Sequence, residues 1–238
     1  MLIKACLNGA RQPGAHPALP CTAEDLARDA AAVVGAGAGA VHVHPRGPDG
    51  RQSLAPEAIG AAVTAIRAQC PGVPVGVTTI AGIQPTAERR LAVVGAWAML
   101  PDFASVNLSE EGAAELAALL LAKGVGVEAG VWSVADAERL GEAGLAGRCT
   151  RILIELVRER TVDEALAAAA AIERTLDVVD TVSPRLLHGA GETAWPLLDY
   201  AITRGYDVRI GLEDTFTLPD GRPARDNAEL VAEARGRA

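Results

Sequence analysis

The sequence predicts an α/β chain folded as a TIM-type (β/α)8 barrel. Eight apolar, β-branched runs recur about every thirty residues, stretches with helical spacing lie between them, and the length of 238 residues matches the usual size of about 250 for eight strand and helix pairs. The first run, LIKACLNG (2–9), closes on Asn-Gly, and TAEDLARDAAAVVGAG (22–37) follows as a helix opened by Thr22 with Glu24 and Asp25 behind it. AVHVHPR (40–46) alternates up to a proline, and PEAIGAAVTAIRAQC (56–70) has helical spacing. VPVGVTTIAG (73–82), FASVNLS (103–109), GVGVEAGVW (124–132) and RILIELV (151–157) supply the third to sixth strands, each bounded by Gly, Pro or Asn. TVDEALAAAAAIERTL (161–176) reads as a helix, DVVDTVSPRLL (177–187) as the seventh strand, GETAWPLLDYAITRG (191–205) as a helix and DVRIGLED (207–214) as the eighth strand.

No linker or low-complexity segment interrupts this series, so residues 1–238 read as one domain, long enough to bury a sizeable core without disulfides or a structural metal. A doubly wound open sheet is the alternative architecture. Both folds place function at the C-terminal ends of the strands, which makes polar residues there the candidates and those on helices solvated faces.

Half of the residues are hydrophobic and 3% aromatic, and the formal charge is -8. An acidic surface of this kind attracts neither nucleic acid nor an anionic membrane. Cys6, Cys21, Cys70 and Cys149 are scattered without a C-x-x-C pair, which suggests neither a zinc knuckle nor a disulfide framework and fits a reducing cytoplasm. The start MLIKACLNGARQ lacks the blocks of a signal peptide, and no run of 18 apolar residues occurs. GAGAGA (35–40) follows a helix and precedes a strand, the reverse of a dinucleotide-binding loop, and reads as a helix stop.

The chemistry concentrates in VHVHPRGPDG (41–50). Side chains two apart on a strand share a face, so His42 and His44 project together and can converge on one divalent metal, with zinc suited to imidazole ligands. A third ligand is expected from another strand end, and RIGLED supplies Glu213, which shares strand parity with Arg209, and Asp214, which has the opposite parity at the point where the strand ends.

Three separated stretches, CLNGARQPGAHPALPCTAEDLA, VHVHPRGPDGRQSL and VRIGLEDT, together resemble the β-keto acid cleavage enzymes, in the same order and from residue 2 to about residue 231. The resemblance implies a zinc-bearing barrel with His42, His44 and Glu213 as ligands, Arg209 and Asp214 as a catalytic pair, Thr78 as a substrate-binding hydroxyl, and a further substrate contact at Asn107 or Ser105. It also implies acetyl-CoA as co-substrate, acetoacetate and an acyl-CoA as products, and a homo-oligomer. Family members carry a glutamate after the first strand where this chain has Arg11.

Other polar residues have two readings each. Arg46 and Arg185 suit a substrate carboxylate or a CoA phosphate, or a pairing with surface acids; Glu128, placed near the end of the fifth strand, suits a cationic substrate tail, or a structural role. His16 and His188 lie in loops near the expected site, able to move protons or simply to hydrogen-bond. The lysines, Lys4 and Lys123, are expected at strand beginnings, away from the active face, which argues against a Schiff-base aldolase. The rival readings are a metal-dependent hydrolase of the amidohydrolase kind, disfavoured because its His-x-His sits on the first strand, and a binding protein without activity on a barrel scaffold.

Overall fold

The computed structural model describes residues 1–159, 161–180 and 182–238. Its elements alternate as β1 (Ile3–Cys6), α1 (Ala23–Ala36), β2 (Ala40–Val43), α2 (Pro56–Gln69), β3 (Val75–Val77), α3 (Ala87–Gly95), β4 (Phe103–Asn107) and α4 (Ala113–Ala122). The second half continues with β5 (Gly126–Val131), α5 (Val134–Glu142), β6 (Arg151–Leu156), α6 (Val162–Val179), β7 (Arg185–Gly189), α7 (Ala194–Thr203), β8 (Asp207–Ile210) and α8 (Asn227–Arg237). The strands are parallel and close in sequence order, with β8 pairing back onto β1, so the fold is a TIM (β/α)8 barrel and not an open sheet.

Local chemistry starts and stops the helices where it should. Thr22 and Asp25 form a reciprocal capping box on α1, and Thr161 and Glu164 do the same on α6. Gly37, inside GAGAGA, ends α1 in the left-handed region at φ 117°, which only glycine adopts without strain.

Strand alternation builds two separate interiors. Outward residues such as Ala5, Val41, Val43, Val75, Val77, Val127 and Ile154 pack against Leu26, Ile59, Ile66, Leu116, Leu140 and Leu176 of the helices. Cys6, Ala40, Phe103, Leu153 and Leu186 are buried apart from that cluster and fill the barrel itself. Lower in the barrel, Lys4 Nζ lies 2.5 Å from Glu128 Oε2, Arg151 Nη1 2.6 Å from Glu128 Oε1, and Arg151 Nε 3.1 Å from Asp207 Oδ2.

Three sequence expectations change here. The seventh strand begins only at Arg185: Asp177, Val178 and Val179 belong to the end of α6, and Thr181 lies outside the described residues. Glu128 is the third residue of the six-residue β5, and its carboxylate is consumed by Lys4 and Arg151 inside the barrel, so it does not reach the mouth where a substrate tail would lie. Lys123 is the C-cap of α4, donating to Gly95 O at 2.9 Å, and does not begin a strand.

Candidate active site

A cavity of about 350 Å³ opens at the C-terminal ends of the strands. The residues that line it come from almost every strand end, as the fold requires of a TIM-barrel site.

His42 and His44 both turn inward from β2 and its end, with ring centroids 5.2 Å apart and planes at 76°. Asn8, just after β1, pins the backbone at His44 from both sides: its Oδ1 accepts from His44 N at 2.8 Å and its Nδ2 donates to His44 O at 3.0 Å. His44 Nδ1 donates to Gln52 Oε1 at 2.5 Å, which leaves the Nε2 lone pair facing Glu213 Oε1 at 3.6 Å.

Glu213 and Asp214 reach the same cavity because β8 ends at Ile210 and the chain turns at once. Asp214 N and Thr215 N both bond back to Gly211 O, at 2.9 and 3.0 Å, so strand parity no longer separates the two acids. Arg11, which also lines the cavity, holds this turn, donating to Leu212 O at 3.3 Å and Glu213 O at 3.0 Å with its guanidinium 4.6 Å from the Phe216 ring. Within the cavity, Arg209 forks onto Asp214, with Nε to Oδ2 at 3.2 Å and Nη2 to Oδ1 at 2.5 Å, and Nη2 also reaches Glu213 Oε1 at 2.9 Å.

Donor atoms of His42, His44 and Glu213 lie within 4.8 Å of one another. Glu213 Oε2 is buried without a hydrogen-bond partner among the described residues and lies 3.9 Å from His42 Nε2. Burial pushes the His42 imidazole down to about 3, so it is neutral with a lone pair to offer. Burial works against ionisation of Glu213, but the Arg209 guanidinium beside it leads the opposing influences and the carboxyl is held well below its usual range. A neutral imidazole, a second imidazole of fixed tautomer and an ionised carboxylate with a free oxygen fit a divalent metal with open positions.

Thr78, directly after β3, lines the cavity and accepts from Ile80 N at 3.1 Å. Ser105 and Asn107 share the inward face of β4 and both line the cavity, with Asn107 Nδ2 donating to Glu110 Oε1 at 2.9 Å. Arg46 does not line it: the guanidinium is occupied by Gly50 O at 3.0 Å and Arg11 O at 2.5 Å, bracing two loops. Arg185 stands at the opposite end of β7, 2.8 Å from Asp177 Oδ1, so it serves no substrate at this site. His16 bonds to Ala224 O at 3.0 Å and packs on Phe216, away from the cavity.

His188 belongs to β7 itself and lines the cavity together with Glu155 of β6 and Trp132 after β5. Sequence reading passed over Glu155, Trp132, Gln52 and Asn8. Glu155 had a usable signal, since it shares parity with Arg151 and Leu153 at a strand end, whereas Gln52 and Asn8 sit in loops whose folding back no periodicity announces.

The beta-keto acid cleavage enzyme family model matches residues 1–238. The chain is 28% identical over 246 residues to a 3-keto-5-aminohexanoate cleavage enzyme of Fusobacterium nucleatum subsp. nucleatum, covering 97% of this chain and 88% of that protein. Among solved structures, apo ObcA superposes with a TM-score of 0.75 at 19% identity, covering 92% of this chain and 61% of that one. A ternary complex of ObcA with a C4-CoA adduct and oxalate gives 0.73, also at 19% identity, covering 92% and 63%. The chain thus spans less than two thirds of ObcA's length, and at that identity the likeness speaks for the fold. With a match running from its first residue to its last, the chain belongs to the beta-keto acid cleavage enzyme family, and it is an enzyme.

Proposed function

We propose that this enzyme condenses a β-keto acid with acetyl-CoA and cleaves the product to acetoacetate and a new acyl-CoA. The observation that carries the reading is the joining, in one cavity, of the His42, His44 and Glu213 donor set to the Arg209–Asp214 pair. Those three residues would hold a divalent metal, best zinc for this donor set, which when bound supplies Lewis-acid stabilisation of the negative charge that develops on substrate oxygens.

The rest falls to the chain's own groups. Asp214, oriented by the Arg209 fork, takes a proton from the carbon between ketone and carboxylate: the C–H bond breaks, an O–H bond forms, and the electron pair stays on carbon. That carbon attacks the acetyl thioester and CoA thiolate leaves. The thiolate then attacks the original ketone carbon, the bond to the central carbon breaks, and Asp214 returns its proton to that carbon. No proton is gained or lost overall, and no enzyme nucleophile is needed. Thr78, Ser105 and Asn107 line the same cavity and offer hydrogen bonds to hold the substrate beside the metal ligands. Neither Lys4, paired with Glu128 below the cavity, nor Lys123 lines it, which agrees with a route free of a Schiff base. A homo-oligomer accompanies this reading and is checked by sedimentation.

The test is elemental analysis and acetoacetate formation on the same samples, with cationic, dicarboxylic and apolar β-keto acids as substrates. Wild type is expected to carry about one zinc per chain and to turn over; His42→Ala loses both, while Asp214→Asn keeps the metal and loses about 10²–10⁴ in kcat. Stoichiometric metal without acetoacetate from any substrate would favour a metal-dependent hydrolase, and wild type that binds no divalent metal would overturn the site.

A further inference from the structure

The scheme above leaves unused a polar pair on the β6 and β7 side of the cavity. Glu155 and His188 stand opposite each other in register on β6 and β7, and both are buried. His188 Nε2 lies 3.3 Å from Glu155 Oε2. On its other side, His188 Nδ1 lies 3.5 Å from Asp214 Oδ1 and 3.2 Å from Gly189 O. All of these neighbours are oxygen acceptors, so an N–H at either ring nitrogen has an acceptor within reach. Burial opposes ionisation of Glu155, but the hydrogen bond and charge of His188 prevail and hold its carboxyl below the ordinary range, which gives the ring a charged acceptor to anchor on.

We propose that His188, itself fixed by Glu155, is a positioning residue for Asp214, aligning from β7 the carboxylate that Arg209 aligns from β8. The inference rests on the reaction proposed above. Arg209 and Asp214 are five residues apart on one strand and its turn, so their fork alone lets both swing together if the turn moves. A contact from β7 ties the side chain to the barrel frame, and Gly191 N, which donates to Asp214 O at 2.8 Å, already ties its main chain to the same side. The arrangement is also directional. Oδ1 faces two nitrogens, Arg209 Nη2 and His188 Nδ1, whereas among the described residues Oδ2 faces only Arg209 Nε at 3.2 Å and keeps a lone pair for the substrate proton.

Zinc-loaded wild type, His188→Leu, His188→Asn and Glu155→Gln are compared on two β-keto acids of different substituent, with metal content and deuterium uptake at the substrate's central carbon measured alongside. His188→Leu is expected to lower kcat by about 30–100-fold and to slow deuterium uptake in proportion, with KM changed less than about threefold and full metal retained. The loss is the same for both substrates. His188→Asn, whose amide nitrogen takes the place of Nδ1, restores kcat to within about tenfold of wild type, and Glu155→Gln lowers it by roughly 5–10-fold. A folded His188→Leu with wild-type kcat overturns the proposal, as does a loss confined to KM or to one substrate, which would make the pair a substituent subsite. Should His188→Leu fail to fold, unchanged kcat in Glu155→Gln together with no difference between His188→Asn and a His188→Gln variant overturns it equally. Wild type that forms no acetoacetate removes the reaction and the positioning role together, whereas turnover indifferent to His188 removes the positioning role alone.

Discussion

Gly9 shows how narrow the tolerances around the donor set are. Its φ is +54°, and a methyl group there would sit 2.4 Å from Glu213 Cγ. Gly9→Ala is therefore expected to displace Glu213 while leaving the barrel intact, weakening zinc binding by about 10–100-fold in a calorimetric titration, the loss typical of disturbing the support of a metal ligand. The His-x-His pair was legible at this scale because period-two alternation is a property of a few adjacent residues. The support given to His44 by Gln52 and Asn8 was not, because it depends on where two loops return.

Among elements, the decisive feature is the charge ladder across β1, β5, β6 and β8. Burial would raise the Glu128 carboxyl, yet Lys4 and Arg151 pull it down to about 2. A folded-state value below the ordinary 4.5 means that this group's contribution to stability is complete above about pH 4.5 and is lost as the pH falls toward 2. Glu128→Gln, which leaves Lys4 buried and unpaired, is expected to cost about 3–5 kcal/mol in urea unfolding near neutral pH. Its stability should then fall less than that of wild type on acidification through that window. The sequence left this carboxylate as either a substrate contact near the end of the fifth strand or a structural group, because an apolar run does not show how deep in the barrel a given residue lies, and the structure decides for the second. The misplaced start of the seventh strand has a similar origin. Asp177, Val178 and Val179 have strand-like composition, but they continue the last turn of α6, where Val178 is 85% exposed. Propensity yielded to the continuation of an established helix.

For the whole molecule, the donor set draws on β2 and on the turn after β8, the two strands that flank β1 where the barrel closes. A metal held there would link the two ends of the chain and favour the closed barrel, in which the three donors meet. Zinc at about 100 times its Kd should add roughly 2.7 kcal/mol, so a chelator is expected to lower Tm by about 5–10 °C in wild type and to leave His42→Ala unmoved in calorimetric scans. No described helix is long and apolar enough to cross a membrane. By itself the sequence determined the alternation of eight strands and helices and the facing of His42 with His44, because periods of 2 and 3.6 residues and helix caps are local properties of the chain, while the closure of β8 onto β1 was settled by the structure. Only the tertiary structure decided that Glu213 and Asp214 share one cavity, that Glu128 is taken by Lys4 and Arg151, and that His188 meets both Glu155 and Asp214. Those contacts join residues whose distance depends on inter-strand register and on the turn after β8, and neither is written in local periodicity.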